Sequence, residues 1–187
     1  MVNPKVKTHV IYTGEWCNPG KASEAANALL DLGADVLRQN QDCPRPVLET
    51  AAKREVYSVG YHSGDLQKFN KKGWITGADR EWGELYVQIV KDVQAGKSDK
   101  WINKHYRTGL EGRFLEIAPL GSAVPKETHD KVMTWRTKIV DGEYAVFQGP
   151  IKDNAGKLRL EECQKPSFEF IETMDWYAEG VVGDVPK

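Results

Sequence analysis

Apolar positions along this chain follow two rhythms, and the switch between them predicts most of its elements. His9-Val10-Ile11-Tyr12 is a β-branched and aromatic run and predicts a strand. After the Asn18-Pro19-Gly20 turn, Ala25, Ala26, Leu29 and Leu30 share one face of a helix over 22–32, which Gly33 ends. A strand over 35–39, a short helix over 46–54 and a strand over 56–61 follow. Single helices between strands imply right-handed crossovers and a parallel, Rossmann-like sheet. Trp74-Ile75-Thr76-Gly77 predicts a fourth strand. Leu85, Ile89, Val90 and Val93 then recur at helical spacing over 81–95, with Gly96 as the stop.

Beyond a polar stretch over 97–107 the rhythm weakens. A strand is expected over 114–118, and a helix over 125–140 with Pro125 in its first turn and Val132, Trp135 and Ile139 on one face. Segments 144–147 and 157–160 are expected to pair as a hairpin across Asp153-Asn154-Ala155-Gly156, and a short helix over 168–174 comes last. Trp82, Trp101 and Trp135 read as packing residues, and His105 and His129 as solvated ones.

Composition narrows the function classes. The 187 residues are 40% hydrophobic and 28% charged, with a net charge of -1, as in an ordinary globular protein. That balance gives no electrostatic reason to expect nucleic acid as a partner. No run of about 18 apolar residues spans a bilayer, and the first residues carry neither an apolar signal core nor a lipobox cysteine. The glycines form no G-x-G-x-x-G fingerprint after a strand, so no dinucleotide cofactor is expected. Scattered histidines predict no metal site.

Ligands of open parallel sheets bind beyond the carboxyl ends of the strands. That rule selects Glu15-Trp16-Cys17-Asn18, Asn40-Gln41-Asp42-Cys43, His62-Ser63-Gly64-Asp65 and Ala78-Asp79-Arg80. An aromatic wall with convergent amides, carboxylates, an imidazole and a guanidinium suits a planar, hydrogen-bonding heterocycle. The candidate ligand-binding residues are Trp16, Gln41, Asp42, His62, Asp79 and Arg80. Duller roles exist for four of them: Trp16 as core, Asp42 as a helix cap, His62 as a half-buried structural histidine, Arg80 as part of a surface charge cluster. Cys17 with His62 and Asp42 has the residue types of a thiol catalyst, but no nucleophile signature surrounds Cys17, and no enzyme is expected. The plain reading of Cys17, Cys43 and Cys163 is three unpaired thiols. A Cys17–Cys43 bridge is the alternative, because both follow strands that would lie on one rim.

Four motifs add a resemblance. Met174-Asp175-Trp176-Tyr177 with Glu179-Gly180-Val181-Val182-Gly183-Asp184-Val185-Pro186-Lys187 closes the chain, after Gly149-Pro150-Ile151-Lys152-Asp153, Gly60-Tyr61-His62-Ser63 and Ala118-Pro119-Leu120-Gly121. In order and spacing these resemble the C-terminal half of the basic membrane protein family, the purine nucleoside receptor A-like solute-binding lipoproteins. The resemblance implies a partial type I periplasmic binding protein fold, a purine base or nucleoside as ligand, an ABC transporter permease as partner, and a lipid anchor outside this chain. It also implies an organisation: 1–78 as an incomplete second lobe, 79–123 as a crossing that normally completes the first, and 124–187 as the closing segment. An N-terminal lobe would then be missing. Apolar faces such as Leu85, Ile89 and Phe114 would be exposed. Family members are exported, so the resemblance implies an upstream part removed or a shortened reading frame. A non-transport interaction module derived from the same family is the competing expectation.

Within the resemblance, Trp16-Cys17-Asn18-Pro19 matches an aromatic-x-Asp-Pro turn whose aromatic stacks on the base, and Gln41-Asp42-Cys43-Pro44 resembles a ligand-facing Thr-Asp-Ser-Pro segment. His62 stands where nucleoside receptors often carry an aspartate for ribose hydroxyls, and Arg80 where they carry lysine. Both departures put ribose recognition in question and leave a base, or another planar and anionic heterocycle, as open as a nucleoside.

Overall fold

The computed structural model describes residues 3–102, 106–112, 114–183 and 185. His105 and the terminal Asp184, Pro186 and Lys187 lie outside the described residues. The central sheet has four strands in the order β2 (Val36–Arg38), β3 (Tyr57–His62), β4 (Trp74–Arg80), β5 (Leu115–Ile117). The first three run parallel, as the alternation of strand and helix predicts. Strand β5 adds antiparallel to β4, with Asp79 opposite Glu116. Residues 115–117 of the 79–123 segment thus extend the same sheet as β2, β3 and β4.

Helix α1 (Pro19–Asp31) starts where the Asn18 side chain accepts the Lys21 N–H at 3.1 Å, and Gly33, at φ 93°, turns the chain out of it. It packs on α2 (Arg45–Lys53) through a core of Ala22, Ala26, Leu30, Leu37, Val47 and Ala51. A second core joins Leu48, Trp74 and Ala118. Glycine is required at 60, because a Cβ there would overlap the Trp74 ring. Trp74 in turn donates its indole N–H to the Pro119 carbonyl at 3.0 Å, which ties the sheet to the Ala118-Pro119-Leu120-Gly121 motif.

Two strand expectations are corrected. The run at His9-Val10-Ile11-Tyr12 does not join β2: only β1 (Thr8–His9) is a strand, and it pairs in parallel with β8 (Val181–Val182). Ile11 and Tyr12 stay exposed, and among the described residues β2 pairs on one edge only, with β3. β propensity makes a strand only where a neighbour supplies the ladder. The hairpin partner of β7 (Leu158–Leu160) is β6 (Ile151–Lys152), not 144–147. Asp153 decides this, since its carboxylate accepts the Ala155 and Lys157 N–H groups and closes a turn tight enough to set the residues just before it opposite β7.

The other helices are α3 (Trp82–Gln94), α4 (Lys126–Val140) and α5 (Phe168–Glu172). Neither α4 nor α5 has a buried residue. The C-terminal motif serves as a tie: Asn154 donates its N–H to the Tyr177 carbonyl, Glu179 donates to Lys152, and β8 reaches β1. Among the described residues no helix is long and apolar enough to cross a membrane.

Candidate functional site

The carboxyl ends of β2 and β3 lie side by side, and the segments that follow them meet the turn after β1. Asp42 donates its N–H to the Trp16 carbonyl at 2.9 Å, Gln41 Nε2 donates to Thr13 Oγ1 at 2.7 Å, and a disulfide joins Cys17 to Cys43 with Cα atoms 5.0 Å apart. The bridge replaces the reading of three unpaired thiols; Cys163 alone is free, and it is exposed. It also removes the free thiol that catalysis at Cys17 would need.

Trp16 is 70% exposed, so the core reading of this residue fails and a flat aromatic stands on the rim. Glu15 beside it is turned to structure: hydrogen bonds from Lys21 and Asn18 hold its carboxyl below the usual carboxylate range. Asp42 caps no helix, because α2 begins at Arg45 behind Pro44 with no side-chain cap bond. The Asp42 carboxylate instead lies 3.3 Å from His62 Nε2.

His62 ends β3 with φ at 81°, a backbone region that L-residues seldom occupy. That turn brings its ring to Arg80, at the end of β4, whose Nη1 donates to His62 Nδ1 at 3.0 Å. Guanidinium has donors only, so Nδ1 is the acceptor and the ring carries its hydrogen on Nε2, toward Asp42. Arg80 also donates to the Tyr61 hydroxyl and sits 4.8 Å from the Tyr61 ring centroid. Arg80 is half-buried in this network and is not an ordinary surface charge. Asp79 is spent on the backbone: Oδ2 accepts the Gly64 N–H and Oδ1 the Arg80 N–H, fixing the turn after β3 against the end of β4.

The fold thus brings Trp16, Gln41, Asp42, His62 and Arg80 to one rim and gives Asp79 a supporting place behind it. Sequence reasoning missed Tyr61 and Gln39. Tyr61 sits inside a strand run and reads there as packing. Gln39 reads as the last residue of a strand, yet it is 6% exposed and its Oε1 accepts the Gln41 N–H at 2.8 Å.

The family model described as ABC transporter substrate-binding protein PnrA-like matches residues 1–148. The chain belongs to that family. Among curated proteins, a purine-binding protein of Brucella abortus is 29% identical over 186 residues, covering 100% of this chain and 51% of its own length. A putative ABC transporter glucose-binding protein of Haloferax volcanii is 29% identical, covering 100% of this chain and 44% of its own length. This PnrA-like chain therefore spans about half the length of the curated relatives it matches. Among solved structures, a transcriptional activator of the comK gene from Bacillus halodurans superposes with a TM-score of 0.60 at 21% identity, over 73% of this chain and 47% of that one. An ABC transporter solute-binding protein from Conexibacter woesei gives a TM-score of 0.53 at 24% identity, over 73% and 45%. These likenesses establish the fold, an α/β, parallel-dominated part of a periplasmic binding protein.

Proposed function

We propose that this PnrA-like chain forms one wall of the solute site of an ABC importer and holds a purine-type base or nucleoside there, without catalysis. The observation that carries the reading is the exposed Trp16 ring on the same rim as the Asp42–His62–Arg80–Tyr61 network. An aromatic face gives stacking, and the fixed polar groups give orientation, which is the division of labour of a heterocycle site. One relative is described as purine-binding. The second wall would come from the part of those relatives that this chain does not span, and an ABC transporter permease would be the next partner. The Cys17–Cys43 bridge supports an oxidising, extracytoplasmic location, since such bonds persist there and are rare in the cytosol.

Calorimetric titration with adenine, hypoxanthine, xanthine, urate, adenosine and guanosine tests this. It is run on the chain alone and on the chain mixed with a polypeptide matching the unspanned part of the relatives. Weak binding alone and tighter binding in the mixture is the expected result, and absence of binding in both sinks the ligand class. Arg80→Trp should move preference toward bases lacking carbonyl oxygens, because it removes a planar fork of donors.

A second reading, a protein-interaction module, is favoured by one observation. Helix α3 presents Trp82, Tyr86, Val87, Val90 and Val93 to solvent, an apolar stripe of the kind that marks an interface. Stable complexes captured through α3 with no affinity for any heterocycle would favour it.

A further inference from the structure

Three side-chain atoms at the strand ends are buried and lack a hydrogen-bond partner among the described residues: Gln39 Nε2, Gln41 Oε1 and His62 Nε2. Their identities follow from their neighbours. Gln39 Oε1 accepts the Gln41 N–H, so its free atom is the donor nitrogen. Thr13 gives its hydroxyl hydrogen to the Glu15 carbonyl and so receives from Gln41 Nε2, which leaves Gln41 with a free acceptor. His62 accepts from Arg80 at Nδ1, which leaves Nε2 as a donor close to Asp42 but not aligned on it.

Leaving such a group dry and unpaired costs roughly 1–3 kcal/mol. Gln39 Nε2 and Gln41 Oε1 have no hydrogen-bond partner and His62 Nε2 only the misaligned Asp42 carboxylate, a concentration on one rim that a ligand would relieve. The three residues sit where β2 and β3 end side by side: β2 stops at Arg38, opposite Val59, Gln39 and Gln41 follow it, and His62 ends β3. Gln41, with the orphaned acceptor, adjoins Asp42, whose carboxylate lies 3.3 Å from the histidine donor, and the Gln39 side chain is tied to Gln41 through the Gln41 N–H.

Resting on the purine-type reading above, we propose that Gln39 reads the ligand, and that with Gln41 and His62 it selects a ring edge carrying two acceptors and one donor. That edge is the imide, –C(=O)–NH–C(=O)–. Xanthine carries it on a purine and uracil on a pyrimidine. Hypoxanthine offers one carbonyl of the two, and adenine neither.

The test is calorimetric titration of the chain with xanthine, uracil, hypoxanthine and adenine, for the native protein and for Gln39→Glu. That variant keeps the acceptor used by the Gln41 N–H and removes the donor. Native protein should bind xanthine ahead of hypoxanthine and adenine. Gln39→Glu should lose about ten- to a hundred-fold in xanthine affinity, the loss expected for a buried donor–acceptor match, and change little toward adenine. If thermal melting shows that Gln39→Glu does not fold, Gln39→Met, which removes both atoms, carries the same expectation. A native preference for adenine, or an unchanged ranking in the variant, overturns the assignment of Gln39 while leaving purine binding intact. Uracil binding as tightly as xanthine upholds the imide edge and overturns the purine ring. No binding of any of the four by the native protein, alone and mixed with the polypeptide matching the unspanned part of the relatives, overturns both.

Discussion

The β2–β3–β4 layer with α1 and α2 and the α3-to-α5 region obey the same hydrophobic periodicity and end up in opposite states. In the first, every helix finds a cover: Ala22, Ala26, Leu30, Leu48 and Ala51 are buried against the sheet or each other. In the second, α4 and α5 have no fully buried residue, and the buried residue of α3 is Asp92, a carboxylate. Hydrogen bonds from Lys100, Gln88 and Trp101 hold Asp92 below its ordinary range, Lys100 contributing most. Leu85, Ile89 and Phe114, expected to be exposed, are half-buried; the exposed apolar side chains of α3 are Trp82, Tyr86, Val87, Val90 and Val93. An amphipathic stripe fixes which face of a helix seeks burial, whereas the cover itself comes from whatever else the chain brings alongside.

The sharpest way to break the comparison is to cut the packed layer. Trp74→Ala removes a ring that is 1% exposed and fills the space over Gly60. It should cost about 3–5 kcal/mol by denaturant unfolding. A loss below about 1 kcal/mol would mean that the sheet is not the stabilising core.

Reducing the Cys17–Cys43 bridge, which closes a loop with a sequence separation of 26, should cost about 3–4 kcal/mol by chain entropy. It should also weaken ligand binding, because the turns that carry Trp16 and Asp42 are tied through it. Equal midpoints with and without reductant would show that the rim is held by its hydrogen bonds alone.

Trp16→Ala probes the rim without the core. With Trp16 70% exposed, thermal stability should hardly change. Loss of stacking, worth roughly 1–3 kcal/mol per base, should weaken purine binding by about ten- to a hundred-fold in calorimetry. Normal binding by a folded Trp16→Ala would move the site elsewhere.

Smallest of all should be Val90→Lys on α3, within about 0.5 kcal/mol by thermal melting, since that side chain is 54% exposed. The same change should reduce self-association measured by light scattering. A large destabilisation would mean that α3 is covered after all, and that the two regions differ less than their burial says.

How much was legible in the sequence follows the same divide. Helices α1 and α2 and strands β3 and β4 fall within a few residues of where their periodicity places them, because local pattern and tertiary cover agree there; α1 begins at Pro19, inside the expected turn, and β4 runs on to Arg80. The strand-end rule selects the segments holding Gln41, Asp42, His62 and Arg80, which follow or end β2, β3 and β4, whereas Trp16 follows no strand of that sheet and reaches the rim through the Asp42 N–H and the Cys17–Cys43 bridge. Tyr61 and Gln39 stayed hidden, because a tyrosine in a strand and a glutamine at its end have the composition of structural residues. Tyr61 shows its role only where Arg80 reaches its hydroxyl, and Gln39 only where its carboxamide folds back on the Gln41 N–H.

The sequence by itself determined the local alphabet: which segments are helical, where Asn18, Gly33 and Asp153 start, stop or turn the chain, and that the first layer is parallel. These depend on residues a few positions apart, whose sterics and hydrogen bonds act within one turn. Only the tertiary structure decided that 8–9 pairs with 181–182, that β5 closes the sheet antiparallel, that Cys17 reaches Cys43, and that His62 is held between Arg80 and Asp42. Each of these joins residues 18 or more positions apart, and β1 meets β8 across nearly the whole chain. No local propensity encodes such pairings; they are set by which surfaces the packed βαβ layer leaves next to one another.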